Sequence, residues 1–194
     1  MIRSDITELH YITPIANLPS IMKLGILSHK RAEKVPHASI AMAEIQDKRD
    51  KKIPGAGHLH DYVNLYFHAR NPMLYKRRTQ NQEICILQVD AKALDIEGVI
   101  ISDRNAASNY VRFLTPAEGV ASLDKDRVYA RHWNHDSYFE KIEHASIKCA
   151  EALVPDRVPP ELIAGVYVAN EAAQQSVLLF NIPLSVTING VIFF

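Results

Sequence analysis

The chain has 194 residues, 47% of them hydrophobic and 23% charged, an ordinary globular balance and a length that suits one domain over residues 1–194. Its 22 basic and 22 acidic residues cancel, which excludes a nucleic-acid binder working by bulk charge but not a local basic track. No apolar run approaches the ~20 residues that span a bilayer, no secretory pattern opens the chain, and Cys85 and Cys149 lie in apolar surroundings. A reducing, cytoplasmic setting with structural thiols is expected.

In chain order, residues 8–13 (ELHYIT) read as a strand closed by Pro14, since proline cannot continue a ladder. Residues 17–24 read as a helix with Asn17 as N-cap, Pro19 in the first turn and Gly25 just past the end. The polar stretch 41–52 is expected to be partly helical, and 53–60, with Pro54, Gly55 and Gly57, a turn-rich loop. Strands are predicted at 62–67, 83–90 and 98–101, with a loop over 102–108. Residues 138–153 show helical spacing, with Phe139, Ile142, Ala145, Cys149 or Ala150, and Leu153 on roughly one face. Segments 163–168, 176–179 and 186–194 complete the pattern, the last two open between strand and helix. Strands and helices mingle without a steady βαβ rhythm. This predicts an α+β fold around a largely antiparallel or split sheet.

Familiar chemistries are largely missing. There is no glycine-rich phosphate loop and no nucleophile elbow. His58 and His60 form an H-x-H pair, but neither cysteine has a C-x-x-C partner and no H-E-x-x-H occurs, so no metal is expected. One residue stands out: Glu151, set into the apolar run KCAEALVP. It must face solvent, find a buried partner or carry chemistry, and taken alone it would be assigned to solvent. The stretch HLHDYVNLYFHARNPMLY at 58–75 is also more polar and aromatic than a core strand requires.

Read with the preceding IQDKRDKKIPGAG and the later KCAEALVP, that stretch resembles the DarT family of DNA ADP-ribosyltransferase toxins. The family core G-x-L-x-D-Y-V-x-x-Y-F-x-x-x-x-P-M-L-Y is matched by Gly57, Leu59, Asp61, Tyr62, Val63, Tyr66, Phe67, Pro72, Met73, Leu74 and Tyr75. The likeness runs over residues 9–168. It implies an ADP-ribosyltransferase-like fold, a split and largely antiparallel sheet surrounded by helices. It also implies NAD as co-substrate, a base in single-stranded DNA as acceptor, and a macrodomain-type antitoxin as partner.

The resemblance assigns roles residue by residue. Glu151 falls at the catalytic glutamate, where a carboxylate against the ribose would stabilise the positive charge that develops as nicotinamide leaves. Arg49 falls at the essential arginine, suited to the NAD pyrophosphate and implicated in the acceptor base losing its proton. The alternative for Arg49 is an exposed member of a basic run with Lys48, Lys51 and Lys52. HYIT at 10–13 corresponds to the first-strand NAD motif, but its histidine stands one place early, which flips its face in a strand. Either a bulge restores His10 or Tyr11 makes the contact, while Thr13 matches directly.

Asn17, Tyr62 and Tyr66 join the cofactor side, the tyrosines equally readable as strand core. Arg70, Met73, Tyr75, Arg104 and Asn105 join the DNA side. Some relatives carry histidine where Asn105 stands, a departure that bears on the base chosen, and the resemblance of the SDRNAAS loop favours guanine over thymine as acceptor. Cys149 is read as packing. Two other functions stay open: transfer to RNA or protein, and a catalytically silent nucleotide- or nucleic-acid-binding module of the same fold.

Overall fold

The computed structural model describes residues 1–39 and 49–194. The strands are β1 (Glu8–Pro14), β2 (Ile26–Leu27), β3 (Tyr62–Tyr66), β4 (Ile84–Asp90), β5 (Ile100–Ser102), β6 (Phe113–Leu114), β7 (Glu151–Pro155), β8 (Arg157–Val158), β9 (Ile163–Val168) and β10 (Ser185–Ile188). Eight of them form one sheet in the order β10-β9-β4-β1-β3-β7-β5-β6, and β2 and β8 make a separate ribbon. Every neighbouring pair in the large sheet is antiparallel except β9 and β10. The expected α+β architecture is what the chain adopts.

The sheet is split at its centre. Seven residue pairs join β1 to β4 and five join β3 to β7, but β1 meets β3 at a single pair, His10 with Tyr66. Beyond that pair the two halves diverge. Alternation along the strands fills two cores: Leu9, Leu65, Leu87, Ala152 and Val154 pack on one face, and Ile12, Tyr66, Ile84 and Ile86 on the other. Both cores consist largely of buried aliphatic side chains, the main favourable term in folding.

The helices are α1 (Leu18–Leu24), α2 (His29–Ala32), α3 (Pro72–Lys76), α4 (Pro116–Ser122), α5 (Lys125–Tyr129), α6 (Tyr138–Ile147) and α7 (Glu171–Leu178). Gly25 ends α1 at φ 83°, and a Cβ there would lie 2.3 Å from the Val158 carbonyl oxygen, so the α1–β8 approach requires glycine. Asn17 does stand at the N-cap of α1, but its side chain makes no capping bond and is used elsewhere. Most of 41–52 lies outside the described residues. The open segment 176–179 falls mainly at the end of α7, and 186–194 divides into β10 and a turn.

The helix expected over 138–153 is overturned. α6 stops at Ile147, a turn follows, and Glu151 opens strand β7. The Lys148 ammonium donates to the carbonyls of Val128 at 2.8 Å and Ala130 at 2.6 Å and contacts His68 Nδ1 at 2.9 Å, drawing the chain inward there. Ala150 then accepts from the Phe67 amide, which leads the chain into the sheet. The predicted apolar face was misread as well: Phe139 is 83% exposed and Ile142 50%, while His144 and Ile147 face inward. A buried strand placed directly after a helix carries apolar residues at spacings that mimic one longer helix.

Candidate active site

The split between β1 and β3 opens into a cavity of about 230 Å³. Its walls include Tyr11, Ile12 and Thr13 of β1, Tyr62, Asn64 and Tyr66 of β3, Met73 and Lys76 of α3, and Asn105 after β5. Arg49 and Glu151 also line it, both nearly buried at 7% and 1% exposure. A carboxylate on a central strand is unusual and needs partners.

Glu151 has those partners. Its register neighbours are Tyr66 on β3 and Ser102 on β5. The Ser102 hydroxyl lies 3.2 Å from the Glu151 amide nitrogen, fixing the backbone. Arg49 Nη1 donates to Oε1 and Oε2 at 3.1 Å each, and the Ala106 amide donates to Oε1 at 3.4 Å. Burial alone would depress the Arg49 guanidinium, but the Glu151 charge and hydrogen bond beside it hold it above its ordinary range. Burial and then the Glu151 charge push the Tyr66 phenol well above its usual value, so Tyr66 stays a neutral hydroxyl. The same two causes push the Cys149 thiol up to about 12, which leaves it inert as a nucleophile.

The remaining sequence-predicted residues divide. Tyr11, Thr13, Asn17, Tyr62, Tyr66, Met73 and Asn105 line the cavity with the ion pair. Asn17 Nδ2 donates to Thr13 Oγ1 at 3.1 Å and to the Ala38 carbonyl at 2.8 Å, while its Oδ1 accepts from the Ala38 amide at 2.9 Å. It clamps the segment carrying His37, Ala38 and Ser39 over the cavity.

His10 lies elsewhere. It faces a second hollow with Glu8, His68, Tyr129 and Tyr167, and its Nε2 sits 3.1 Å from Glu8 Oε1. The strand's alternation is not interrupted by a bulge against β4, so Tyr11 takes the cavity position. Arg70 lines that second hollow too, and Nη1 donates to the carbonyls of Val191 and Phe193. Tyr75 turns to the far flank of α3, and Arg104 reaches Asp103 Oδ1 at 3.4 Å, outside the cavity lining.

Lysines near Arg49 do not share its place. Lys51 donates to the Ser108 carbonyl at 2.9 Å, Lys52 is exposed, and Lys48 lies outside the described residues. The H-x-H pair is dispersed: His60 packs on His29 with ring centroids 4.4 Å apart, and His58 sits 3.8 Å from Asp50. Among the described residues no cluster of three or more His, Cys, Asp or Glu side chains is placed to hold a metal ion. No helix among them is long and apolar enough to cross a membrane.

Sequence reasoning missed Asn64, Lys76 and Arg77, which also line the cavity. Asn64 carried a usable signal, since period-two spacing puts it on one face with Tyr62 and Tyr66.

The split antiparallel sheet, with an acidic residue opening a central strand at the cleft, defines an ADP-ribosyltransferase-like domain. A family model described as "ssDNA thymidine ADP-ribosyltransferase, DarT" matches residues 10–190, and the chain belongs to the DarT family. A DNA ADP-ribosyl transferase of Thermus sp. (strain 2.9) is 32% identical over 184 residues, covering 89% of this chain and 86% of the relative. A fusion of DNA ADP-ribosyl transferase and DNA ADP-ribosyl glycohydrolase from Thermosipho africanus is 33% identical over 177 residues, 84% of this chain, and this chain spans 42% of its length. The structure of Thermus sp. 2.9 DarT with ADP-ribosylated ssDNA superposes at a TM-score of 0.84 and 30% identity, covering 98% of this chain and 97% of that one. The same Thermus protein has been solved with carba-NAD+, at a TM-score of 0.80, 28% identity and coverage of 98% and 99%.

Proposed function

We propose that this chain transfers ADP-ribose from NAD to a base of single-stranded DNA and releases nicotinamide. The observation that carries the reading is the Arg49–Glu151 pair, buried at the cavity formed where the sheet splits. The cavity's residues fit NAD: Tyr11, Thr13, Tyr62 and Tyr66 offer hydroxyls and flat faces to ribose and nicotinamide. In the transfer, the ribose C1′ bond to the nicotinamide nitrogen breaks with its electron pair going to nicotinamide. A base nitrogen supplies the pair for the new C1′ bond and gives up its proton, which passes to solvent as H+. Glu151 stabilises the positive charge on the sugar between those events.

The contact with Glu151 supports a role for Arg49 at the reacting end rather than at the pyrophosphate. Arg49 orients Glu151 through that contact, and its fixed positive charge favours loss of the proton from the base. The family description names thymidine, which supports thymine as acceptor in place of the guanine suggested by the SDRNAAS loop. Asn105 does not separate the two bases. Its Oδ1 already accepts from the Ala107 amide at 2.9 Å, leaving an amide donor that matches the O4 of thymine as well as the O6 of guanine. The fusion of a Thermosipho relative to a DNA ADP-ribosyl glycohydrolase supports a toxin role beside a macrodomain-type antitoxin that reverses the modification.

The test is mass analysis of mixed-sequence oligonucleotides after incubation with protein and NAD, with nicotinamide release followed in parallel. The expected result is one added ADP-ribose, on thymine, in single-stranded and not in fully paired DNA, because extruding a paired base costs a few kcal/mol. Labelling of guanine would restore the loop's suggestion. Labelling of protein or RNA in preference to DNA would replace this reading.

A further inference from the structure

On the far flank of α3, three aromatic rings from distant parts of the chain meet at the surface. Tyr75 and Trp133 have centroids 6.1 Å apart, Tyr75 and Phe194 5.1 Å, and Trp133 and Phe194 6.0 Å, all edge to face. Two guanidiniums lie on them: Arg78 is 4.3 Å from the Tyr75 centroid and Arg70 4.0 Å from that of Phe194. This is not a core cluster, since Tyr75 is 43% exposed, Arg78 is exposed, and Trp133 and Phe194 are only half-buried. Among the described residues no carboxylate forms an ion pair with Arg70, Arg78 or the adjoining Arg131. This surface therefore holds guanidiniums over aromatic rings with no carboxylate in direct ion contact with them.

We propose that Tyr75, Trp133, Phe194, Arg70 and Arg78 form a stacking platform for a nucleotide that flanks the modified base in single-stranded DNA. The proposal rests on the DNA-modifying reading above. Three features select a nucleic-acid strand. Every base has a π-face, so aromatic and guanidinium planes hold it whatever its sequence, and the strand's phosphates supply the missing anions. A free phosphate would have no use for the rings, and an acidic peptide would have none for a guanidinium set over a phenol ring. Position agrees as well. Met73, Lys76 and Arg77 line the cavity while Tyr75 and Arg78, their immediate chain neighbours, face the platform. A strand whose target base enters the cavity crosses one short helix to reach it. The rings are assembled by folding alone, because Tyr75, Trp133 and Phe194 are far apart in sequence. Arg70 acts mainly as a fastener, since its hydrogen bonds hold the backbone of Arg131, Val191 and Phe193.

Trp133 is the chain's single tryptophan, so intrinsic fluorescence reports on this surface directly. The full chain, without NAD, is titrated with a short oligothymidylate. Saturable quenching of Trp133 is expected, with affinity weakened about tenfold in Arg78→Ala and in Tyr75→Ala, within the ~1–3 kcal/mol of a base stacked on a protein side chain. Arg78→Lys keeps the charge but loses the plane and is expected to fall with Arg78→Ala. In the transfer assay, Arg78→Ala should raise KM for an intact oligonucleotide about tenfold, and the difference from the parent should vanish when the nucleotides flanking the target are abasic. Unquenched Trp133 together with parental affinity in Arg78→Ala would overturn the platform while leaving transfer standing. Quenching by oligothymidylate in a protein that modifies no DNA would uphold the platform and sink the catalytic reading. The exposed Arg78 variants keep the test valid if Tyr75→Ala fails to fold.

Discussion

Arg49 Nη1 donates to both carboxylate oxygens of Glu151, at 3.1 Å each, across 102 positions of chain. Removing two charges from water costs about as much as their attraction returns, so such a pair contributes little net stability. Its placement at a cavity is explained by what it does to the carboxylate, which is held in one orientation and shielded from water.

Glu151→Gln keeps the shape and can still accept from Arg49, but it loses the charge. Transfer is expected to drop at least about 100- to 1000-fold, with a much smaller change in NAD affinity. Glu151→Ala should add a folding cost of about 3 kcal/mol in chemical denaturation, since it leaves a buried guanidinium unpaired. Parental turnover by the glutamine variant would remove Glu151 from the chemistry.

Arg49→Lys separates charge from shape. A single ammonium on a flexible stem cannot reproduce the guanidinium's fixed plane against Glu151. Both Arg49→Lys and Arg49→Ala are therefore expected to be severely impaired at saturating NAD, while Lys52→Ala shows only a salt-sensitive loss of DNA affinity. If the lysine variant turns over like the parent, Arg49 is one cation of a basic track and no more.

Stability should depend on pH through His68. Burial, then the Lys148 ammonium, hold its imidazole down at about 3 from an ordinary 6.5. The folded form thus binds fewer protons than the unfolded form between those values. The stabilisation is complete above about 6.5 and is lost as pH falls toward 3, at up to ~1.4 kcal/mol per unit. His68→Asn preserves an acceptor for Lys148 Nζ and removes the titration, so its denaturation midpoints should fall less steeply over that range. Parallel curves for the two proteins would clear His68 of the effect.

Both thiols should resist alkylation in the native protein. Cys149 is pushed up to about 12 and Cys85 higher still, in each case first by burial. Labelling at pH 8 is expected only after denaturant is added, read by mass. Rapid native modification of Cys149 would mean that the cavity exposes it more than its 5% accessibility allows.

Strand content was legible where aromatic and β-branched residues cluster, as in YVNLYF, and where Pro14 or Gly25 punctuates the chain. The Tyr138–Ile147 helix was legible, but its end was not, because Lys148 is anchored by the carbonyls of Val128 and Ala130, groups that no local pattern reveals. Glu151 could be singled out as a carboxylate in an apolar run. Its contact with Arg49 could not, since no local periodicity spans 102 residues. His10 and Tyr11 show the same limit from the other side: alternation says that they face apart, and only the sheet's split says which face is the cavity.

That split also gives the protein something most sheets lack, a pair of strand edges in its interior. After the His10–Tyr66 pair, the margins of β1 and β3 that would have bonded each other confront one another across the cavity. Strand edges carry rows of amide and carbonyl groups, which on an outer surface invite unwanted partners. Here residues 11–14 and 62–64 of those edges form part of the cavity wall, at a spacing set by the backbone that no side-chain substitution can alter. A ligand held by that wall is recognised in part by geometry common to all amino acids, so the first strand can present tyrosine at Tyr11 and still offer the same hydrogen-bonding frame.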